Sequence, residues 1–221
     1  MEKKHEDKYK SFVSLKANER EGVDFCRTIL PRNSVITVIA PHGGGIEPGT
    51  SELAKAIADD LFSLYCLEGL KPTGNKDLHI TGTNFDDPDC VQLTSQSKMV
   101  LAIHGCDDGT DVVYVGGCNE DVRTQFIDAL NNAGFDAQED VTAHSGRNLQ
   151  NICNRGLAEG GVQLEISEGL RLRMFRGLRR HERTLTQPPF EEFVTAAREL
   201  LNRLNLVGEA AQPAGEAGGR M

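Results

Sequence analysis

The chain has 221 residues, 38% of them hydrophobic, and a formal net charge of -9, enough for one well-buried core in a single domain. That acidity argues against nucleic acid as a general partner, and no apolar run approaches the length of a membrane span. The N-terminus, Met1-Glu-Lys-Lys-His5, carries charge with no apolar stretch behind it, so no signal peptide is read and a cytoplasmic, monomeric protein is expected.

Apolar β-branched runs alternate with helical periods, which predicts an α/β fold with a mostly parallel mixed sheet and helices on both faces. Strands are predicted near Val35 to Ala40, Leu78 to Thr81, Met99 to Ile103, Asp111 to Val115 and Val162 to Ile166. A first helix, capped by Thr50 or Ser51, carries Leu53, Ile57, Leu61 and Leu64 or Tyr65 at helical spacing. A second spans Glu120 to Asn132, with Val122, Phe126, Ile127 and Leu130 on one side and Gly134 as its C-terminal cap. A third follows Pro188-Pro189 and carries Phe190, Phe193, Val194, Ala197, Leu200, Leu201 and Leu204. The stretch 208–221 has no periodicity and is expected to be a disordered tail, which leaves 1–207 as the domain. Cys26, Cys66, Cys90, Cys106, Cys118 and Cys153 form no C-x-x-C pair and read as free thiols, with a Cys106 to Cys118 disulfide as the alternative.

Chemistry concentrates at the ends of predicted strands. The first ends in Pro41-His42-Gly43-Gly44-Gly45-Ile46-Glu47, where the glycines let the backbone fold tightly enough for His42 and Glu47 to reach one ion. The strand at Met99 ends in His104, which completes a set of two histidines and a glutamate. Such a set holds zinc and leaves a position open for water, so a zinc hydrolase is the candidate. In open α/β sheets ligands bind at this edge. Glu165, near the end of another strand, is the candidate general base, with Glu168 as its competitor. The competing reading turns Gln163 and Glu165 to solvent while Val162, Leu164 and Ile166 face the core. His5 and His181 read as solvated and His79 as structural; His144 is read as a loop residue or as part of a substrate pocket.

Other motifs are missing. No serine is set in a nucleophile elbow, no Lys-Ser or Lys-Thr follows the glycines, and H-E-x-x-H is absent. A basic region nevertheless runs through the second half, from Arg147 and Arg155 to Arg171, Arg173, Arg176, Arg179, Arg180 and Arg183, interleaved with Asn148, Asn151 and Asn154. Arginine grips carboxylates bidentately, which suits an acidic substrate. Arg147, Asn148, Asn154 and Arg155 are the candidate substrate-binding residues. Arginines beyond position 171 read as a solvated face paired with the protein's own acids.

Four blocks resemble the phage-type poly-γ-glutamate hydrolases, a group of zinc peptidases. They are Ala40-Pro-His-Gly-Gly-Gly-Ile-Glu-Pro-Gly-Thr-Ser-Glu52, Ala102-Ile-His-Gly105, Gly146-Arg-Asn-Leu-Gln-Asn-Ile-Cys-Asn-Arg-Gly156 and Gly161-Val-Gln-Leu-Glu-Ile-Ser-Glu-Gly-Leu-Arg171. The resemblance implies a single-domain fold similar to the zinc carboxypeptidases, with His42, Glu47 and His104 as zinc ligands and Glu165 as the catalytic carboxylate. It implies cleavage of γ-glutamyl amides in an acidic polymer. Two alternatives stand beside it. One is a zinc deacylase of N-acyl amino acids similar to formylglutamate amidohydrolases, and the other is an anion-binding module without chemistry.

Overall fold

The computed structural model describes residues 6–142, 145–158 and 160–210, with 206–210 described by backbone alone. Its strands are β1 (Phe25–Leu30), β2 (Ile36–Gly44), β3 (Ser63–Gly69), β4 (Met99–Cys106), β5 (Val112–Gly116), β6 (Asp136–Glu139) and β7 (Val162–Ser167). They form one sheet in the order β1-β3-β2-β4-β7-β5-β6. The pairs β3/β2, β2/β4, β4/β7 and β5/β6 are parallel, while β1/β3 and β5/β7 are antiparallel. The expected single-domain, mostly parallel mixed sheet is present. The helices are α1 (Phe12–Asn18), α2 (Thr50–Ala58), α3 (Pro88–Ser95), α4 (Glu120–Asn132), α5 (Glu168–Met174) and α6 (Pro188–Ala210). None of the described helices is long and apolar enough to cross a membrane.

Two cores lie on opposite faces of the sheet. On one face Val38, Leu101, Ile103, Val113, Val115, Leu164 and Ile166 pack with Ile57 of α2, Phe126 of α4, Met174 of α5 and Leu200 of α6. On the other, Ile39, Tyr65, Leu67, Val100 and Ala102 pack with Leu15 of α1, Cys90 of α3, Leu78, Ile80 and Phe85. This second core draws on β1, β3, β2 and β4 but takes no residue from β5, β6 or β7. The apolar packing of this face therefore stops at β4, and beyond it β7 and β5 carry polar side chains, Gln163, Glu165 and Tyr114, with the segment 145–158 against Gln163. Side chains alternate across a strand, so His104 shares the face of Ala102, and Glu165 lies opposite Leu164 and Ile166.

Several elements differ from expectation. Leu78 to Thr81 is no strand: Asn75–Leu78 makes a 3-10 turn and His79 follows in irregular chain. The helix from Thr50 stops at Ala58, and Leu64 and Tyr65 belong to β3. The apolar residues read there as one helical face come from two elements, because the chain reverses at Asp59, whose φ is 45°. Gly49, at φ 103°, holds the N-cap position in place of Thr50 or Ser51. By contrast α4 runs over the expected span, capped by the Asn119 side chain accepting from the Val122 N–H. All six cysteines are free, and α6 continues past Gly208 to Ala210. The rest of the expected tail, with His5 and His144, lies outside the described residues.

Gly161 leads into β7, where an added Cβ would run into the carbonyl oxygens of Cys153 and Val100. These are backbone atoms and cannot yield cheaply. Gly161→Ala is expected to destabilise the fold by about 1–3 kcal/mol in urea denaturation, and an unchanged midpoint would contradict this packing.

Candidate metal centre and active site

β2 delivers His42 through an irregularity. Its register with β3 shifts between Ala40 and Gly43, and the His42 ring turns into the second core, 1% exposed, beside Phe85 and His79. The chain then folds back tightly: the Glu47 N–H donates to the His42 carbonyl at 2.8 Å, and the Thr50 hydroxyl donates to the Glu47 carbonyl at 2.9 Å. Gly44 takes φ 65° against Gly69 of β3, where a Cβ would stand 2.6 Å from the Gly69 oxygen. A side chain there would push the turn off the sheet. Glu47 is thereby aimed back at His42, and its Oε2 accepts from the Gly105 N–H at 2.9 Å.

The donors converge. Glu47 Oε1 lies 3.0 Å from His42 Nδ1, His104 Nδ1 lies 3.1 Å from His42 Nδ1, and Glu47 Oε2 lies 3.7 Å from His104 Nδ1. His42 Nε2 is 2.8 Å from the Ile80 carbonyl oxygen, which can only accept, so the ring's proton sits on Nε2. Nδ1 then presents a lone pair to a carboxylate and to a second imidazole. Burial, with His79 beside it, pushes His42 down to about 4, so the ring is neutral at ordinary pH. Burial opposes charge on Glu47, but His42 and His104 outweigh it and hold the carboxyl well below the usual range. Burial also opposes charge on His104, yet the Glu165 and Glu47 carboxylates outweigh it and raise that ring. His104 Nε2 is buried and lacks a hydrogen-bond partner among the described residues. Imidazole nitrogens and carboxylate oxygens gathered at these distances are the donor types a divalent ion takes, and metal binding would displace any proton that His104 Nδ1 shares with His42 or Glu47. The two imidazoles and the carboxylate therefore fit a divalent metal ion.

Glu165 is next in line across the sheet. Its Cα is the register partner of His104 on β4 and of Tyr114 on β5, so the three side chains share the open face. Val162, Leu164 and Ile166 do face a core, but Gln163 is buried and Glu165 half-buried on the opposite face, so neither turns out to solvent as the competing reading had it. Gln163 Nε2 donates to Glu165 Oε1 at 2.8 Å. Burial, offset in part by His104, pushes the Glu165 carboxyl from 4.5 up to about 7. Tyr114 donates its hydroxyl to Asp108 at 2.7 Å.

The substrate-binding candidates separate. Arg147 reaches Glu139 at 2.6 Å, a carboxylate that also accepts from Arg123 at 2.8 Å, and Arg147 stays 44% exposed. Asn148 is exposed and its side chain accepts from the Gln150 N–H. Asn154 is buried: its Oδ1 accepts from the Cys118 and Gly161 N–H groups, and its Nδ2 donates to the Gly146 and Asn148 carbonyls. Arg155 donates to the carbonyls of Gln150, Phe85 and Thr83. Their polar groups are committed to main chain, because the loop needs its buried carbonyls paired. Of the later arginines, Arg171 and Arg183 are 2% and 6% exposed, which corrects the expectation of a solvated face at Arg183.

His79 and Asp7 were missed. His79 stacks on His42 with ring centroids 4.0 Å apart, and its Nε2 lies 3.9 Å from Glu47 Oε1. Its other nitrogen bonds Asp7 at 2.7 Å, and Asp7 also accepts from the Thr81 N–H and hydroxyl at 2.7 and 2.6 Å. Burial opposes the charge on Asp7, but His79 and Thr81 outweigh it and hold the carboxyl well below its usual range. His42, Glu47 and His79 offer donor atoms within 4.8 Å of one another, so His79 is a further potential ligand at the mouth of the cluster. No local pattern announces a contact spanning 72 residues.

Fold and site together define a single-domain α/β protein with a buried histidine and glutamate cluster able to hold a metal ion. The chain belongs to the poly-gamma-glutamate hydrolase family, whose model matches residues 9–196. It is 36% identical over 200 residues to the SPbeta prophage-derived protein YoqZ of Bacillus subtilis (strain 168), covering 89% of this chain and 72% of that one. A bacteriophage poly-gamma-glutamate hydrolase superposes with a TM-score of 0.88 at 30% identity, over 91% of this chain and 100% of the other. The zinc-free apo form of YndL superposes with a TM-score of 0.85 at 34% identity, over 90% and 99%.

Two predictions follow from the electrostatics and the loop. The folded state prefers Glu165 protonated, so the stability this group contributes is complete below about 4.5 and is lost as pH rises through about 7. In metal-free protein the stability of Glu165→Gln relative to wild type should therefore grow between pH 5 and pH 8 by on the order of 1–3 kcal/mol. Thermal melts at the two pH values read this directly, and a pH-independent difference would contradict the raised carboxyl. Arg155→Ala should lower stability by roughly 2–3 kcal/mol in urea, whereas a changed KM with unchanged stability would return Arg155 to substrate recognition.

Proposed function

We propose that the chain is a zinc-dependent hydrolase of γ-glutamyl amide bonds, acting on poly-γ-glutamate or a related γ-glutamyl compound. The observation that carries this reading is the convergence of His42 Nδ1, the Glu47 carboxylate and His104 Nδ1 beside Glu165, in a chain of this family. Zinc held by those three side chains would supply Lewis acidity, polarising an amide carbonyl and acidifying a water. Glu165 is the general base. With its carboxyl near 7 it can take a proton from water and return it to the leaving nitrogen within one turnover. Gln163 holds one of its oxygens, so the other is left to carry the proton.

Arg147 and Asn148 face solvent on the segment 145–158 and would engage substrate carboxylates, Arg147 by exchanging Glu139 for the substrate. Asn154 and Arg155 act behind them by holding that segment in shape. His79, fixed by Asp7, stands at the mouth, where it limits how a chain approaches Glu47.

The test compares a γ-linked polyglutamate with an N-acylglutamate. Glutamyl products are expected from the polymer, and Glu165→Gln should lower kcat by about 10²–10⁴-fold. Cleavage of the N-acyl compound alone would move the substrate class to the deacylase alternative, and full activity in Glu165→Gln would remove it as the base.

A further inference from the structure

Arg171 is the most deeply buried arginine of the described residues, yet it meets no carboxylate within hydrogen-bonding distance among them. Its fork is spent on main chain: Nε donates to the Ile166 carbonyl at 3.0 Å, Nη1 to Pro48 at 2.8 Å and Nη2 to Cys106 at 2.8 Å. Each carbonyl adjoins a group of the site. Pro48 follows Glu47, Ile166 follows Glu165, and Cys106 lies two residues past His104. The intervening residue is Gly105, where a Cβ would stand 2.7 Å from Arg171 Cζ. Gly105 also donates its N–H to Glu47, so the guanidinium and the Glu47 carboxylate grip the same short stretch of β4.

Burying a cation is costly, and three carbonyl dipoles offset that cost only when their geometry suits a planar donor set. Those dipoles come from three places in the sequence: the turn after β2, the end of β4 and the end of β7. We propose that Arg171 is a positioning residue of the site, tying the turn that carries Glu47 to the strand ends that carry His104 and Glu165. The proposal rests on the metal-hydrolase reading above. A lysine keeps the charge and three N–H donors but has one nitrogen where arginine spreads three, so it cannot stand within reach of all three carbonyls, and the distances between ligands and base would drift although the core remained.

The experiment measures zinc affinity by chelator competition, kcat and KM on γ-linked polyglutamate, and melting temperature. It compares wild type, Arg171→Lys, Arg171→Met and Arg183→Met. Arg183 is the control: it is similarly buried but binds Glu52 and the Leu178 carbonyl. Arg171→Lys is expected to weaken zinc binding by about ten- to hundredfold and to lower kcat with KM nearly constant. Arg183→Met should lower melting temperature alone. Wild-type-like zinc affinity and kcat in Arg171→Lys, or an equal loss of zinc affinity in Arg183→Met, would overturn the proposal. If Arg171→Met does not fold, the lysine variant decides. A wild type that neither binds zinc nor cleaves the polymer would overturn the underlying reading, which is a separate result.

Discussion

The position of one proton organises the site. Ile80 can only accept, so His42 keeps its hydrogen on Nε2 and turns a bare Nδ1 toward Glu47 and His104. His42 Nδ1, the Glu47 carboxylate and His104 Nδ1 are thereby gathered within 3.0 to 3.7 Å of one another, with both histidine rings buried. The fold maintains this arrangement through several independent devices. The register shift in β2 turns the histidine inward, the tight turn through Gly44 returns Glu47 to it, and the Gly105 N–H holds the carboxylate. None of these contacts strengthens the core by itself. Their common effect is to hold donors in place, which is what a metal site requires.

The rest of the fold explains why the cluster stands where it does. One face of the sheet is covered along most of its width by α2, α4, α5 and α6, while the apolar packing of the other face ends at β4 and gives way to polar contacts between β7 and the segment 145–158. His42 and His104 are buried, and Glu47 and Glu165 are half-buried. In the proposed mechanism the two imidazole ligands would sit where charge interactions are strong, while Glu47 and the proposed base Glu165 keep part of their surface accessible. The antiparallel pairing of β5 with β7 sets Tyr114 beside Glu165, extending the polar row across the open strands.

Much of this was legible in the sequence, for identifiable reasons. Strands buried on both faces read as continuous apolar runs, so β2, β4 and β7 were visible, together with the polar residues at their ends. The helix α4 carries both a clean period and a capping asparagine. What could not be read depends on contacts distant in sequence. β3 was absorbed into a helix because Leu64 and Tyr65 continue the spacing of α2, and only the reversal at Asp59 separates them. Asn154 and Arg155 have the side chains of carboxylate binders, and whether their donors face substrate or main chain depends on how the loop folds. His79 stacks on His42 and is held there by Asp7, 72 residues earlier in the chain.

The most direct test of the central claim is elemental analysis of purified protein after equilibration with zinc, in wild type and in a His42→Ala/His104→Ala double variant. The account predicts about one zinc per chain in the wild type and its loss in the double variant, with both proteins folded. A folded wild type that retains no zinc would contradict the claim that these donor groups are arranged for a cation.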